Sequence, residues 1–221
     1  MKISILFLFC GLFLYSCGEG EKKAPETGSE LVSQSIQFHD PNGIWSSLDA
    51  TFVIEDSLPP GRDSRSYFFS LDNSRSFLSY SIEGLEFEVE NDSVKVLNGE
   101  MAEERALRMR NYYSYLWGLP MKLADPGTEI EKEIQEEVLN GKTYLVARVP
   151  YEKDVWYFYF DPETYAMEAY KFYQDEANLK GEIIYLEGLV NYKGLKIPAN
   201  RTWYRTEIDE FLATDMLQEI K

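Results

Sequence analysis

The chain has 221 residues, with 22 basic against 38 acidic side chains, a formal net charge of -16 and a pI near 4.5. A surface this acidic repels nucleic-acid phosphates and anionic lipid headgroups, which need clustered Lys and Arg, so DNA, RNA and polybasic membrane docking are excluded. With 44% hydrophobic and 15% aromatic residues the chain is too apolar to be disordered, and its length suits one globular domain.

Met1-Lys2 precedes Ile3 to Tyr15, an apolar run shorter than the roughly 20 residues that cross a bilayer as a helix, so it reads as the core of a secretory signal. Leu14-Tyr15-Ser16-Cys17 resembles the bacterial lipobox, and polarity begins directly after it in Gly18-Glu19-Gly20-Glu21. That resemblance implies removal of residues 1–16, lipidation of Cys17 and acyl chains holding the protein at the membrane. Cys10 leaves with the signal and Cys17 carries lipid, so the mature chain offers no thiol for a disulfide, a nucleophile or a metal. Residues 17–28 read as the lipidated Cys and a flexible tether, and residues 29–221 as the folded domain.

In that domain Leu31, Val32, Ser35, Ile36 and Phe38 predict a short helix with Ser29 as its cap, stopped by His39-Asp40-Pro41-Asn42-Gly43. Strand alternation follows at 48–55, with further strands expected at 65–71, 76–82, 85–90 and 93–97, the last two joined at Asn91-Asp92. Glu100 to Trp117 is the one long helix, because Met109, Tyr112, Tyr113, Leu116 and Trp117 fall on a single face. Glu129 to Leu139 suits a helix on propensity, yet Asn140-Gly141 ahead of Thr143 to Val149 is a hairpin signal, and a strand is predicted. Strands at 155–160, 165–173, 181–192, 195–205 and 211–217 complete a meander of about eleven. Trp156, Phe158 and Phe160 point to one face of their strand and Val155, Tyr157 and Tyr159 to the other. Both faces are apolar, so the second should be covered by a helix, by more sheet or by a ligand.

Four segments carry a resemblance: His39 to Trp45, Tyr115 to Leu123, Trp156 to Pro162 and Ala199 to Tyr204. They resemble a family of uncharacterised Bacteroidetes lipoproteins of unknown function. More distantly, the capped helix, the long meander and the turn Asp161-Pro162-Glu163-Thr164 resemble the LolA/LolB superfamily of lipoprotein-sorting proteins. The implied fold is mainly antiparallel β, a half-barrel of about eleven strands whose apolar concave face is lidded by helices and takes up acyl chains. Cys17 sets this chain closer to an anchored receptor than to a soluble carrier. The implied location is the outer membrane, facing the periplasm or the cell surface.

No catalytic constellation stands out. His39 is the only histidine, no nucleophile elbow is present, and no second His or Cys completes a transition-metal site, so neither cofactor nor metal is expected. Glu131, Glu133, Glu136 and Glu137 could serve a carboxylate-based hydrolase but read as a solvated face. The aromatic set is the binding candidate, with Tyr157, Phe158 and Trp203 as the expected ligand-contacting residues. The expected function is to bind or relay a lipid or other apolar ligand without catalysis. The alternative is a scaffold lipoprotein whose filled half-barrel presents an acidic surface to a basic protein partner.

Overall fold

A computed structural model describes residues 23–221. The apolar run, Cys17 and the first part of the tether lie outside the described residues. The first helix, α1 (Gly28–His39), is capped by Thr27 rather than Ser29: Thr27 Oγ1 accepts from the Glu30 amide at 3.2 Å, and Glu30 Oε2 accepts from the Glu26 amide at 2.7 Å. This reciprocal exchange is a capping box whose glutamate reaches one residue further back. Gly28 is needed there because any Cβ would collide with the Glu131 carbonyl. At the other end the Asp40 carboxylate accepts from the amides of Ile44 and Trp45 at 2.7 and 2.8 Å and turns the chain toward the sheet.

Strands β1 (Asp49–Ser57), β2 (Arg65–Asp72), β3 (Phe77–Ile82), β4 (Leu85–Glu90) and β5 (Ser93–Asn98) form an antiparallel meander, followed by helix α2 (Glu103–Trp117). The ambiguous acidic stretch is strand β6 (Gln135–Leu139), paired with β7 (Lys142–Pro150) through Asn140-Gly141, whose φ values of +51° and +81° suit a two-residue hairpin. Turn geometry thus overrides helix propensity. The strand is shorter than the sequence suggests because Lys132 accepts from the Gly28 amide and Glu131 donates to Arg148, which ties this segment to α1 and β7. Strands β8 (Val155–Phe160), β9 (Met167–Asp175), β10 (Lys180–Tyr192), β11 (Leu195–Arg205) and β12 (Glu210–Ile220) complete the chain.

The twelve strands of the described residues belong to one open antiparallel sheet in the order β5-β4-β3-β2-β1-β12-β11-β10-β9-β8-β7-β6. Two meanders are sewn together where β12 returns to β1, with Phe52 opposite Ile220 and Ser57 opposite Thr214. That closure extends β12 beyond the expected 211–217. Since α2 links β5 to β6, the two sheet edges, it must pass across one face of the sheet. We call this the inner face. One half of its core gathers Phe52, Phe69, Phe87 and Leu78 beneath Trp117 of α2. The other half gathers Phe158, Phe160, Tyr170 and Ile184 beneath Leu31 and Val32 of α1. These side chains are wholly or almost wholly buried, and each contributes about 1.5–3 kcal/mol through removal from water.

The outer face of β8 is covered in a way the sequence does not suggest. Among the described residues neither a helix nor a second sheet covers it. Lys171 on β9 lies over the rings of Tyr157, Tyr159 and Tyr173 at 4.8, 5.2 and 5.6 Å, and its ammonium pairs with Glu137 at 2.9 Å. Arg148 pairs with Glu131 and Glu176 beside the Tyr157 ring. Aromatic faces here are shielded by cations, which are in turn neutralised by the acidic run.

Among the described residues all strands and helices lie between Gly28 and Ile220, so their sheet and core belong to the chain after the tether. Among the described residues no helix is long and apolar enough to cross a membrane.

Candidate functional site

His39 is wholly buried and structural. Its Nδ1 lies 2.7 Å from the Lys196 carbonyl, which can only accept, so Nδ1 carries the proton; Nε2 then accepts from the Met167 amide at 3.0 Å. The ring therefore links α1 to β11 and to the start of β9. Burial lowers its pKa from 6.5 to about 4, against the opposing effect of the Lys196 carbonyl. It is neutral near pH 7. Glu131 and Glu137 are held in the outer-face ion pairs, while Glu133 and Glu136 are exposed. Among the described residues no group of three or more His, Cys, Asp or Glu side chains is placed to hold a metal ion.

A cavity of about 250 Å³ lies between α2 and the inner face of the sheet. Tyr112, Tyr113, Leu116 and Trp117 form its roof from α2. Tyr67 and Tyr80 wall one side from β2 and β3. Trp203 and Ala213, on β11 and β12, floor the other. Tyr112 is about half exposed at the rim, and its ring lies nearly parallel to Trp203 at 6.2 Å. Two larger depressions, of about 580 and 530 Å³, are lined mainly by polar groups such as Asp40, Asn73 and Arg110, or Asn140, Glu168 and Asp209, and a third, of about 430 Å³, is lined mainly by aliphatic groups such as Met167, Leu186 and Pro198. The 250 Å³ cavity joins the rings of Tyr67, Tyr80, Tyr113, Trp117 and Trp203 to the buried charge of Arg201.

That charge comes from a row across four strands. Register places Arg65 of β2 opposite Asp56 of β1, Asp56 opposite Asp215 of β12, and Asp215 opposite Arg201 of β11. Two carboxylates directly opposite each other repel. Arg65 relieves Asp56, to which it donates from its backbone amide at 2.7 Å, from Nε at 2.8 Å and from Nη2. Asp215 accepts from Trp203 Nε1 at 3.0 Å and from the Tyr67 hydroxyl at 3.2 Å. Burial still raises its pKa, with the charge of Asp56 adding to the shift.

Arg201 is the exception in the row. It is the largest fully buried side chain, at 1% exposure, and no carboxylate of the described residues lies within 4.0 Å of it. Its guanidinium carbon sits 3.5 Å from the centre of the Trp117 ring, and Nη1 donates to the Pro198 carbonyl at 2.8 Å. Nε is buried with no partner. Burial lowers its pKa to about 10, so it remains a cation near neutrality. A buried charge without an ionic partner is costly unless something else satisfies it. The Tyr170 hydroxyl, on a ring packed edge-on against Trp203, is also buried without a partner.

Of the three residues singled out by sequence, Trp203 lines the cavity. Phe158 is on the same face, in a register row that runs from Phe158 through Tyr170 and Ile184 to Trp203, but it is wholly buried in the core. Tyr157 is on the outer face, where its hydroxyl donates to Glu176 and accepts from Arg148 Nε at 3.1 Å. The structure therefore does not bring it to Trp203. Sequence reasoning passed over Arg201, Asp215 and the tyrosines of β2 and β3. A signal for Arg201 was present: it occupies the inward phase of a strand, between Ala199 and Trp203.

The fold has known counterparts. A LolA-superfamily protein from Nitrosomonas europaea superposes with a TM-score of 0.55 at 11% identity, covering 88% of this chain and 93% of that one. A DUF1329-family protein from Desulfovibrio piger gives 0.56 at 8% identity, covering 90% and 93%. A domain from Vibrio parahaemolyticus described as an outer-membrane lipoprotein-sorting protein gives 0.50 at 10% identity, covering 88% and 92%. At these identities the likeness is one of fold, and the LolA-like architecture expected from sequence is the one observed. No curated protein matches the chain in sequence. Residues 2–219, nearly the whole chain, match the DUF6503 profile, and the chain belongs to that family of unknown function.

Proposed function

We propose that the protein is a lipid-anchored envelope lipoprotein that binds an amphiphile between α2 and its half-barrel sheet, without catalysis. The observation that carries this reading is the aromatic-lined space of about 250 Å³ beside Trp203, between α2 and the sheet. Ligand pockets usually measure about 300–1,000 Å³, so this one is small. At roughly 30 Å³ for a water-sized group, it takes about eight heavy atoms. A full acyl chain would project beyond Tyr112. Burying about eight methylenes gains roughly 6 kcal/mol, which corresponds to tens of micromolar at best before ordering costs. A polar headgroup contact has to supply the rest.

Anchoring through Cys17 would keep this site close to the outer membrane, where amphiphiles partition. The small size of that space and the net charge of -16 favour a second reading, a scaffold whose acidic surface meets a basic protein. Mass spectrometry of what co-purifies with the chain from residue 18 separates the two. A stoichiometric amphiphile supports binding, and a ligand-free protein that captures basic proteins supports the scaffold.

A further inference from the structure

We propose that Arg201 is a headgroup seat, and that the cavity selects a single-chain carboxylic acid, in its carboxylate form, over neutral or cationic molecules of the same chain. The inference deepens the binding reading above and rests on it.

A charged row crosses β2, β1, β12 and β11. Each carboxylate in it is already served, Asp56 by Arg65 and Asp215 by Trp203 and Tyr67. Arg65 is served as well. Arg201 alone has no anion in contact, although Asp215 is its direct cross-strand neighbour. Guanidinium presents five N–H donors in a planar fork. Only Nη1 has an acceptor among the described residues, the Pro198 carbonyl, while Nε is buried and unpartnered. The guanidinium carbon lies 3.5 Å from the centre of the Trp117 ring at the wall of the cavity, and the unpartnered Nε gives the fork unused donor capacity for a bidentate acceptor.

A carboxylate matches that fork in shape and charge. An ester or amide offers a single carbonyl and no charge, so acyl groups already linked to a protein or to glycerol lose the contact. An alkylammonium head would be drawn to Asp215 and the aromatic rings but would meet Arg201 as a like charge. The apolar side of the cavity, formed by Leu116, Leu212 and Ala213, takes the first part of the chain.

The test compares octanoate, octanol and octyltrimethylammonium by calorimetry on the chain from residue 18. Octanoate is expected to bind about tenfold or more tighter than octanol, the worth of hydrogen bonds to a charged partner. Arg201→Met should abolish that preference while octanol binding persists. The comparison on the unsubstituted chain decides the matter even if the variant folds poorly. Equal binding of octanoate and octanol, or tighter binding of octyltrimethylammonium, overturns the carboxylate seat and leaves the cavity reading intact. No binding of any of the three overturns both.

Discussion

Arg201 and Asp215 face each other directly across β11 and β12, yet their charged groups do not meet: the guanidinium lies on Trp117, and the carboxylate takes its hydrogen bonds from Trp203 and Tyr67. Two opposite charges on adjacent inward positions would ordinarily pair. Here Trp117, delivered by a helix that crosses the sheet, competes successfully for the cation, and the cavity lies alongside.

This arrangement makes a prediction about the ligand-free chain. Breaking a true buried ion pair costs about 3–5 kcal/mol, whereas replacing an unpaired buried charge with an apolar group of similar length is neutral or stabilising. Arg201→Met should therefore leave stability in urea unchanged within about 1 kcal/mol or raise it. A loss of several kcal/mol would mean that Arg201 is held by an ionic partner.

The buried histidine predicts an acid-sensitive fold. His39 has a pKa near 4 when folded against 6.5 when unfolded. The neutral ring is the form the fold accepts, so its contribution is full above pH 6.5 and is lost as pH falls toward 4. The unfolded chain takes up the proton in that window and the folded chain does not. The gap of about 2.5 units corresponds to roughly 3 kcal/mol. In NMR the His39 ring should stay neutral at pH 5, and His39→Gln should remove this share of the pH slope. Titration of the folded ring near 6.5 would contradict it.

Phe158 and Tyr157 are adjacent in sequence and opposite in role. Phe158→Ala should cost about 3–5 kcal/mol, as expected for a wholly buried aromatic. Tyr157→Phe removes only hydroxyl contacts with Arg148 and Glu176 and should cost about 1 kcal/mol. Urea denaturation of both variants reads the difference, and equal losses would place the two side chains in equivalent surroundings.

Lipidation is tested separately from the fold. Radiolabelled palmitate should enter the wild-type chain in its host and not Cys17→Ser. Equal labelling would remove the anchor from the account.

How much of this was legible in the sequence follows from the physics of each signal. Local periodicity and turn chemistry gave α2, most strand positions and the Asn140-Gly141 hairpin, because such signals depend only on near neighbours. The return of β12 to β1 has no local signature, since Phe52 and Ile220 lie at opposite ends of the domain. Without that pairing Asp56 and Asp215 cannot be seen as neighbours, and the charged row cannot be assembled. On β8, alternation separates Phe158 from Tyr157, but both phases are aromatic, so it cannot say which is inward. Lys171 and Arg148, which make the outer aromatic face tolerable in water, come from neighbouring strands. Arg201 was the readable exception, a cation in the inward phase of β11 between Ala199 and Trp203.

The central claim is that the space beside Trp203 takes a ligand, and filling that space tests it most directly. Ala213 lines the cavity and is only partly buried, so Ala213→Phe should occupy the volume without removing any polar contact. A fluorescent fatty acid titrated into the chain from residue 18 should bind saturably, and Ala213→Phe should weaken it about tenfold or more while the thermal unfolding transition is retained. Saturable binding that Ala213→Phe leaves unchanged, or no saturable binding by the folded chain, would contradict the account.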